Sequence, residues 1–482
     1  MTLFSRKRPR SSEAAHRVSQ EPFTTDKPSK HHMLPTHYNN GRLVTKGIQA
    51  EGESGRSGFH PVHFGRVAWR SSCRASMFLN VLWPFVPAGI ALFYTRREST
   101  LLVFAINYIA MIPAANLLGY AGQELARKLP RVLGILLEIT FGAVVEIVLF
   151  IVLIVKDHRD GHNVAVIKAA ILGSILANLL LCLGCCFFLG GTKRHEQVFH
   201  EAVSEVGSNL LLVAGFALLI PSAFYSALRS SAFGPGDAVP TGEDGTPLEV
   251  FTLARLNHDI LAISRGTAIV LIVAFILFIW YNTKSHDTIF DDVLAADEEK
   301  DVDRERDLAK AKFTLTECII AIVVSLTLVS IIAVILVNEI HPMVEEYGIP
   351  DNFMGLILVP LVEKFAEHIT AIDEAWDDQI NFALFHCLGP SIQTALFNAP
   401  LVILVGWGLH NHFMDLNFEI FQIVLLVLSI MVVGNFLRDK KSNYLEGGLL
   451  VLVYVIVALS AWYYPNPTLT TSNSDSTGVE SH

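Results

Sequence analysis

The sequence has few charged residues. Asp, Glu, Lys and Arg make up only 17% of the 482 residues, whereas 52% are hydrophobic and the mean hydropathy is +0.45. Soluble domains carry about a quarter charged residues, so this composition excludes an ordinary soluble protein and indicates a chain that crosses a membrane several times. The net charge of −10 comes in large part from one acidic run, residues 286–307, and therefore identifies no binding partner.

The sequence also lacks the motifs of common enzyme classes. It contains no HExxH pair of zinc ligands, no glycine-rich phosphate loop and no recognisable pairing of a nucleophile with a base. We therefore predict a protein that is not an enzyme, that needs no cofactor and that does not bind nucleic acid. No apolar segment of the signal-peptide type follows Met1, so no cleavable secretory signal is predicted.

Cysteine is scarce. Five of the six cysteines fall inside apolar segments of membrane type, so no disulfide framework is predicted. Cys182 and Cys185 have the spacing of a redox or zinc motif, but the residues around them are apolar and offer no further ligand. We interpret these cysteines as small packing residues. The six are Cys73, Cys182, Cys185, Cys186, Cys318 and Cys387.

Long apolar runs are the main feature that is present. A window of about 20 apolar residues predicts a transmembrane helix, because a helix needs about that length to cross the hydrocarbon layer. We find eleven such windows and predict an all-α polytopic membrane protein. The windows lie near residues 76–94, 99–119, 133–155, 165–190, 205–227, 262–282, 313–338, 353–372, 380–408, 417–436 and 443–463.

Two glutamates lie inside these segments, Glu146 in LLEITFGAVVEIVLFIVLIV and Glu367 in GLILVPLVEKFAEHITA. An acidic side chain at the centre of a transmembrane helix costs roughly 2.5–3.5 kcal/mol to insert, so a chain that does this twice is expected to handle a cation. Each glutamate segment is followed by a helix that opens with Leu-Gly and a serine-containing polar cluster. With the 76–94 segment set apart as a leading helix, the acidic run leaves five segments on each side, which gives the two halves opposite orientations. This is the arrangement of inverted-repeat transporters, whose site lies between the repeats.

The same reasoning divides the chain into six parts. The N-terminal residues are too poor in apolar side chains to form a core alone. The acidic run predicts a solvated linker helix, with a surface that gathers divalent cations as the alternative. The parts are a disordered cytosolic tail over 1–72, a leading transmembrane helix over 73–98, a first five-helix repeat over 99–284, an acidic cytosolic linker over 285–312, a second five-helix repeat over 313–465 and a disordered tail over 466–482.

The distribution of lysine and arginine predicts the orientation. Cytosolic loops carry an excess of basic residues, and the richer set of loops is on the side of the N-terminus. We therefore predict a cytosolic N-terminus and, with eleven spans, a lumenal C-terminus. The basic residues of the richer set are Arg127, Lys128, Arg131, Lys193, Arg194, Arg438, Lys440 and Lys441.

At these residues the chain resembles the calcium/proton exchanger family of the calcium/cation antiporter superfamily, in particular fungal vacuolar calcium ion transporters. The similarity covers roughly residues 75–465. Beyond the two glutamates it is carried by LGSILANLLLCLG (172–184), LAISRGTAIVLI (261–272), SIQTALFNAPLVILVGW (391–407) and KSNYLEGGLLVLVYVI (441–456). The resemblance implies a secondary antiporter of the vacuolar or another endomembrane, which moves calcium, with manganese as a second candidate, in exchange for protons.

The resemblance also implies a set of site residues. Glu146 and Glu367 would ligate the metal and compete for protons, because calcium prefers 6–8 carboxylate, carbonyl and amide oxygens. Glycines are expected to let the helices unwind and expose carbonyl oxygens. His368 would relay protons or hydrogen-bond a neighbouring helix. The other cation- and proton-binding candidates are Gly142, Ser174, Asn178, Ser391 and Gln393. Asn398 is interpreted as a residue that joins helices.

Both glutamate motifs depart from the family pattern. The second glutamate motif, usually Gly-Asn-Ala-Ala-Glu-His, has Glu363 in place of the glycine and Lys364 in place of the asparagine. Lys364 is three residues before Glu367 on the same helix face, so it can pair with Glu367 and occupy the place of the cation. Glu363 can offset that charge or pair with Lys364 instead. Ala143 likewise replaces the asparagine of the first motif.

These departures leave three functions open. The first is the calcium/proton antiporter that the resemblance implies. The second is the same scaffold exchanging another cation, such as sodium or potassium. The third is a membrane regulator that transports nothing, in which Lys364 serves as a tethered cation.

Overall fold

The computed structural model describes residues 48, 52–95, 99–129, 131–156, 162–233, 251–285, 287–300, 310–411 and 413–465, and these residues are almost entirely helical. The helices of the first half are α1 (Pro61–Arg70), α2 (Arg74–Leu79), α3 (Phe85–Thr95), α4 (Thr100–Ala126), α5 (Arg131–Lys156), α6 (His162–Leu176), α7 (Leu183–Lys193), α8 (Glu201–Arg229) and α9 (Leu253–Trp280). The helices from the linker onward are α10 (Asp287–Lys300), α11 (Leu315–Tyr347), α12 (Asp351–Phe353), α13 (Val359–Trp376), α14 (Ile380–Gln393), α15 (Ala399–Gly408), α16 (Ile420–Phe436) and α17 (Tyr444–Trp462).

Several junctions between helices are wide π turns. They lie at Ala177–Cys182 between α6 and α7, at Met354–Leu358 between α12 and α13, and at Thr394–Asn398 between α14 and α15. A π turn inserts an extra residue without breaking the helix, and such turns are frequent at functional sites. The only strands of the described residues are β1 (Gln197–Val198) and β2 (Lys441–Ser442), which pair antiparallel.

Local sequence signals explain where individual helices begin and end. Thr314 and Glu317 form a capping box at the start of α11, in which each side chain accepts from the backbone N–H of the other residue. The same helix ends at Gly348, whose φ of 66° is left-handed and therefore suits glycine. Asn443 caps α17 by accepting from the backbone N–H groups of Leu445 and Glu446.

The predicted class, an all-α polytopic membrane protein, is confirmed. Among the described residues, nine helical stretches are long and apolar enough to cross a membrane. They are Arg74–Thr95, Thr100–Ala126, Asn163–Lys193, Glu201–Arg229, Leu253–Trp280, Leu315–Tyr347, Ile380–Gly408, Ile420–Asp439 and Tyr444–Trp462. The two glutamate-bearing stretches, α5 and the helix that runs through α12 and α13, match the other two predicted windows. The count of eleven stays a prediction.

The helix ends fall into two groups. One end is called the linker end because α10 of the linker lies there, where its Asp297 contacts Asn381. At the same end Gln197 and Ser442 pair through the two short strands, and Arg194 contacts the carbonyl of Trp376. At the opposite end, Lys168 pairs with Asp415, Asn352 binds Glu419, and Ser222 binds the Leu416 carbonyl. The loops that carry the richer set of basic residues all lie at the linker end.

The two glutamate helices run in opposite directions, as an inverted repeat requires. α5 starts at the linker end, where Gly134 packs against Ala126, and finishes where Lys156 contacts Asn338. α13 runs the other way and finishes at Trp376, at the linker end. The two most buried of the membrane-length stretches, Asn163–Lys193 (83%) and Ile380–Gly408 (72%), each follow one glutamate helix and form the centre of the bundle.

The expectation of a disordered tail up to residue 72 is wrong for residues 52–72. Val67 of α1 is fully buried in a cluster with Tyr120 and Phe313, and the buried Glu317 carboxylate accepts from the backbone N–H of His60 at 3.1 Å. Residues 52–72 are too poor in apolar side chains to form a core alone, but they share the hydrophobic core of the bundle. Residues 1–47, most of the predicted tail, lie outside the described residues, as do residues 466–482.

The acidic linker contains a helix, as predicted, but it is not fully solvated. α10 covers Asp287–Lys300, and Asp297 on it is completely buried against the start of α14. Residues 301–309 of the linker lie outside the described part.

An exposed ion pair lies beside the two short strands. Lys441 of β2 bonds to Glu196, which precedes β1, and this bond raises the pKa of Lys441 and lowers the pKa of Glu196. Both groups therefore stay charged at neutral pH.

Candidate functional site

The two glutamates predicted to bind the cation lie on either side of one lysine ammonium. Lys364 Nζ is 3.5 Å from Oε2 of Glu146 and 3.5 Å from Oε2 of Glu367. The ammonium also donates to the carbonyl oxygen of Gly142 at 3.1 Å. Lys364 is 1% exposed and Glu146 is fully buried. The two halves of the molecule therefore converge on a single positive charge in the interior.

The contacts of this ammonium are ion pairs of moderate length. A strong N–H···O bond to a carboxylate is about 2.7–2.9 Å long, so 3.5 Å is a loose contact. The shortest bond of Lys364 is the one to the neutral carbonyl of Gly142. The structure thus resolves one alternative left open by the sequence, because Lys364 pairs with Glu146 and Glu367. Among the described ion pairs, none joins it to Glu363.

Glu146 is held by two donors from the π turn of the second half. Thr394 Oγ1 donates to the carboxylate, at 3.2 Å from Oε1 and 3.0 Å from Oε2, and Asn398 Nδ2 donates to Oε2 at 3.0 Å. Thr394 and Asn398 are four residues apart and share one helix face. These neutral donors fix the carboxylate that faces Lys364. Asn398 does join two helices, as expected, and it does so through the site.

Thr394 is not among the site residues predicted from the sequence. A signal existed, because Thr394 follows Gly389 by five residues, as Asn178 follows Gly173 in the corresponding helix of the first half. Asn178 was already a candidate. Comparing the two helices position by position would have identified its counterpart.

Glu367 approaches the first half at Gly142. A Cβ atom at that glycine would lie 3.2 Å from Oε1 of Glu367, which is tighter than an ordinary contact. The side chain of Glu367 is 24% exposed and lines an open cleft. The cleft extends from Glu367 past Thr370 to Gln123 and Ser72, so it opens toward the linker end. Glu367 is therefore the accessible glutamate of the pair and Glu146 the enclosed one.

His368 contacts the first half. Its Nε2 lies 2.9 Å from Oδ1 of Asn178, and both residues are buried. The pair mirrors the contact of Glu146 with Thr394, since in each case a glutamate-helix residue of one half meets the π turn of the other half. Of the two roles considered for His368, the structure favours the hydrogen bond to a neighbouring helix.

Glu363 is a buried carboxylate without a hydrogen-bond donor among the described residues. It is 3% exposed, and neither Oε1 nor Oε2 has a partner. It lines the same cleft as Glu367. An ionised carboxylate in this position is costly, because burial of an unpaired charge is disfavoured by several kcal/mol. Glu363 is therefore a site for a proton or for a positively charged group.

Among the described hydrogen bonds, none joins the remaining candidates to either glutamate. Ser391 donates to the Cys387 carbonyl at 2.8 Å within its own helix. Ser174 is fully buried, and its hydroxyl has no hydrogen-bond partner among the described residues. Gln393 is 4% exposed, and within the described part of the chain no hydrogen bond links it to either glutamate. Asn178 reaches the site through His368.

The unwinding expected at the glycine of the first glutamate helix is wrong, because α5 is continuous through Gly142. In α13, where Glu363 replaces the family's glycine, the helix is regular from Val359 to Trp376. The departures from regular helix are the π turns next to them. The Gly142 carbonyl still accepts from Lys364, since a carbonyl oxygen has a second lone pair in addition to the one used by its helix.

The fold and the site define a class of membrane protein, in which two inverted helical halves each bring a glutamate helix to one buried charged centre. The sequence profile of the sodium/calcium exchanger protein family matches residues 99–284 and 318–463. The chain therefore belongs to the sodium/calcium exchanger protein family.

Individual relatives agree with this assignment. The chain is 30% identical over 399 residues to a vacuolar calcium ion transporter of Schizosaccharomyces pombe, a match that covers 83% of this chain and 88% of the relative. It is 31% identical to vacuolar cation/proton exchanger 5 of Arabidopsis thaliana, with 81% and 82% covered. The fold is similar to the crystal structure of the Ca²⁺/H⁺ antiporter protein YfkE, with a TM-score of 0.60, 23% identity, and 80% of this chain and 100% of that chain covered.

Proposed function

We propose that this protein is a calcium/proton antiporter of the vacuolar membrane or of another acidic endomembrane compartment. It moves calcium, with manganese as a second cargo, from the cytosol into the compartment while protons leave. Its N-terminus and the linker end face the cytosol, and its C-terminus faces the lumen. The names of the relatives support calcium as the cargo and the vacuole as the compartment, and the richer set of basic loops at the linker end supports the orientation.

One observation carries the proposal. Glu146 from the first half and Glu367 from the second half both lie 3.5 Å from the same positive charge, that of Lys364. The place of this ammonium is thus a cation-binding position between two halves that can move against each other. In alternating access, such a position opens first to one side of the membrane and then to the other. The cleft beside Glu367 supports access from the cytosolic side in this state.

The charge of the ammonium favours a divalent cargo. At 3.5 Å the attraction between two unit charges is about 5 kcal/mol for an effective dielectric constant of about 20, before any cost of desolvation. A calcium ion in the same place doubles this attraction to each carboxylate. A sodium or potassium ion gains nothing over the ammonium, which is already tethered. Lys364 therefore acts against monovalent ions more than against calcium.

The ammonium must leave when calcium binds, and Glu363 is the acceptor for it. Glu363 neighbours Lys364 in the chain, lines the cleft and has no donor for either oxygen among the described residues. Because both oxygens are buried without a donor, we infer that Glu363 takes up a proton while the ammonium lies between Glu146 and Glu367. When the ammonium moves to it, that proton is released, so the binding of calcium is coupled to the loss of a proton from the same site. Further proton coupling comes from Glu146 and Glu367, because protons and calcium compete for the same carboxylates.

Flux measurements test the proposal. The full chain is reconstituted into vesicles with an acidic interior, and uptake of calcium, manganese, sodium and potassium is followed with and without the pH gradient. We expect calcium uptake that requires the gradient. Glu146→Gln and Glu367→Gln should each lower it at least about 100-fold, since loss of a charged ligand worth about 3 kcal/mol corresponds to that factor.

A matched control separates the site from a general effect of charge. Glu205 on α8 is exposed, so Glu205→Gln removes a glutamate charge without touching the site and should leave uptake unchanged. Calcium uptake that survives both site substitutions would rule the proposal out. Uptake of sodium or potassium that calcium at micromolar concentration does not suppress would favour the alternative of a monovalent exchanger.

The buried ammonium also favours a second candidate function, a membrane regulator without transport. In this case Lys364 never leaves the two glutamates. The intact protein then moves none of the four ions, whereas Lys364→Asn gains calcium uptake that depends on the pH gradient. The same substitution in an active antiporter starts from measurable uptake, so the two functions give different results in the unsubstituted protein.

A further inference from the structure

Three cysteine sulfurs meet in the interior, away from the glutamates. Cys182 ends the π turn after α6, Cys186 lies one helical turn later on α7, and Cys387 is on α14 of the other half. All three sulfur atoms lie within 4.8 Å of one another, and those of Cys182 and Cys387 are 3.4 Å apart. Each cysteine is at most 1% exposed. The spacing noted in the sequence, Cys182 with Cys185, is not the one the fold uses.

The distances fit a metal ion bound by three thiolates. Thiolate sulfur lies about 2.3 Å from a bound metal ion such as zinc, and three such sulfurs around a planar trigonal ion are then about 4 Å apart. The observed separations, from 3.4 Å up to a limit of 4.8 Å, bracket this value.

The donor set selects the kind of ion. Soft thiolate ligands favour Cu(I) and zinc over calcium and magnesium. Structural zinc sites are almost always four-coordinate, whereas the described residues bring three ligand atoms together here. A soft monovalent ion that accepts three ligands suits this group better. Each thiol that binds the ion as a thiolate releases one proton. No electron is transferred, so the ion keeps its oxidation state.

A partly exposed polar pair lies next to the cluster on the side of the linker end. Cys387 is seven residues into α14, about 10 Å from its first turn at a rise of about 1.5 Å per residue. Next to it in the chain, His386 Nδ1 lies 2.7 Å from Oε2 of Glu374. The side chains of this pair are 18% and 17% exposed. An ion that arrives from the cytosolic surface therefore meets polar groups before the sulfurs.

We propose that Cys182, Cys186 and Cys387 form a binding site for a soft monovalent metal ion of the Cu(I) class. Because Cys182 and Cys186 belong to the first half and Cys387 to the second, a bound ion joins the two halves. It therefore blocks the relative movement that exchange requires. The block rests on the antiporter function proposed above, whereas the binding itself does not.

Metal binding to the purified full-length protein tests the site directly. Ag(I), which has the same coordination preferences and does not change oxidation state, is titrated under reducing, oxygen-free conditions, with the bound metal counted by elemental analysis. We expect one ion per chain and a thiolate-to-metal absorption band in the ultraviolet. Cys387→Ser and Cys186→Ser should each weaken binding at least about 100-fold.

Cys185 provides the matched control. It is adjacent to Cys186 but outside the group of three, so Cys185→Ser should bind Ag(I) as the unsubstituted protein does. The thermal midpoint of each metal-free variant shows that it is folded. Equal binding by Cys185→Ser and Cys387→Ser, or no stoichiometric binding at all, overturns the proposal. Zinc binding as tight as that of Ag(I) overturns the assignment to a soft monovalent ion.

Transport separates this proposal from the proposed function. Ag(I) below micromolar concentration should inhibit calcium uptake by the unsubstituted protein and by Cys185→Ser, but not by Cys387→Ser. If no variant takes up calcium even without silver, the antiporter proposal fails while the binding data stand. If Ag(I) inhibits Cys387→Ser as strongly as the unsubstituted protein, then inhibition does not come from an ion that joins the two halves at these cysteines.

Discussion

The ammonium of Lys364 lies 3.5 Å from Oε2 of Glu146, although the two residues belong to different halves of the chain. A buried carboxylate and a buried ammonium stabilise each other mainly by removing an otherwise unpaired charge. Substituting one partner therefore tests both the stability and the ion-binding function of this contact.

Lys364→Asn should make the stability depend on calcium. Without the ammonium, Glu146 and Glu367 face each other with no positive charge, and loss of one partner of a buried pair costs about 3–5 kcal/mol. Calcium can replace the missing positive charge, so millimolar calcium should raise the unfolding temperature of the variant back toward that of the unsubstituted protein. Lys156→Asn, which removes a lysine from the opposite end of the bundle, is the control. A loss of stability that calcium does not reduce would contradict a cation site at this position.

Thr394→Val should impair the site through Glu146. The threonine hydroxyl donates to both oxygens of this carboxylate, and a hydrogen bond to a charged group contributes about 1.5–3 kcal/mol. We expect a lower unfolding temperature and a tenfold or greater loss of calcium uptake, measured in vesicles. Thr327 on α11 is exposed, and within the described part of the chain its hydroxyl bonds only to Val323 O of its own helix. Thr327→Val should therefore have little effect, and an equal effect of both substitutions would contradict the role of Thr394.

His368→Gln should preserve uptake to within about twofold. Glutamine retains an amide donor for Asn178 Oδ1, which His368 Nε2 contacts at 2.9 Å. His368→Leu leaves the buried Asn178 carbonyl unpaired and should cost about 1–3 kcal/mol of stability. Uptake and thermal unfolding of the two variants are compared. Proton-coupled uptake that is lost in His368→Gln, with stability unchanged, would instead establish a proton relay.

Asp297→Ala should release the linker helix. Asp297 Oδ2 accepts from the backbone N–H of Asn381 at 2.7 Å, and Oδ1 accepts from its side-chain amide at 2.9 Å. Without this carboxylate, the two donors of Asn381 at the buried start of α14 are unpaired, which should lower the stability by about 1–3 kcal/mol. Limited proteolysis should then cut the linker faster. Asp292→Ala removes an exposed aspartate of the same helix and should not change the rate. Equal rates for the two variants would show that Asp297 does not anchor α10.

The sequence by itself determined the membrane class, the position of each apolar helix and the two glutamate segments. These features depend on the length of apolar runs and on charges inside them, which are local properties of the chain. It also indicated that Lys364 could occupy the place of the cation, because residues three apart share a helix face.

Only the tertiary structure decided which partners these side chains meet. Lys364 had Glu363 and Glu367 as partners within its own helix, and the packing of α5 added Glu146 and the Gly142 carbonyl. The meeting of Cys182 with Cys387 and the ordering of residues 52–72 on the bundle have the same origin. Such contacts depend on how helices from distant parts of the chain are rotated against each other, and no local pattern of residues encodes that rotation.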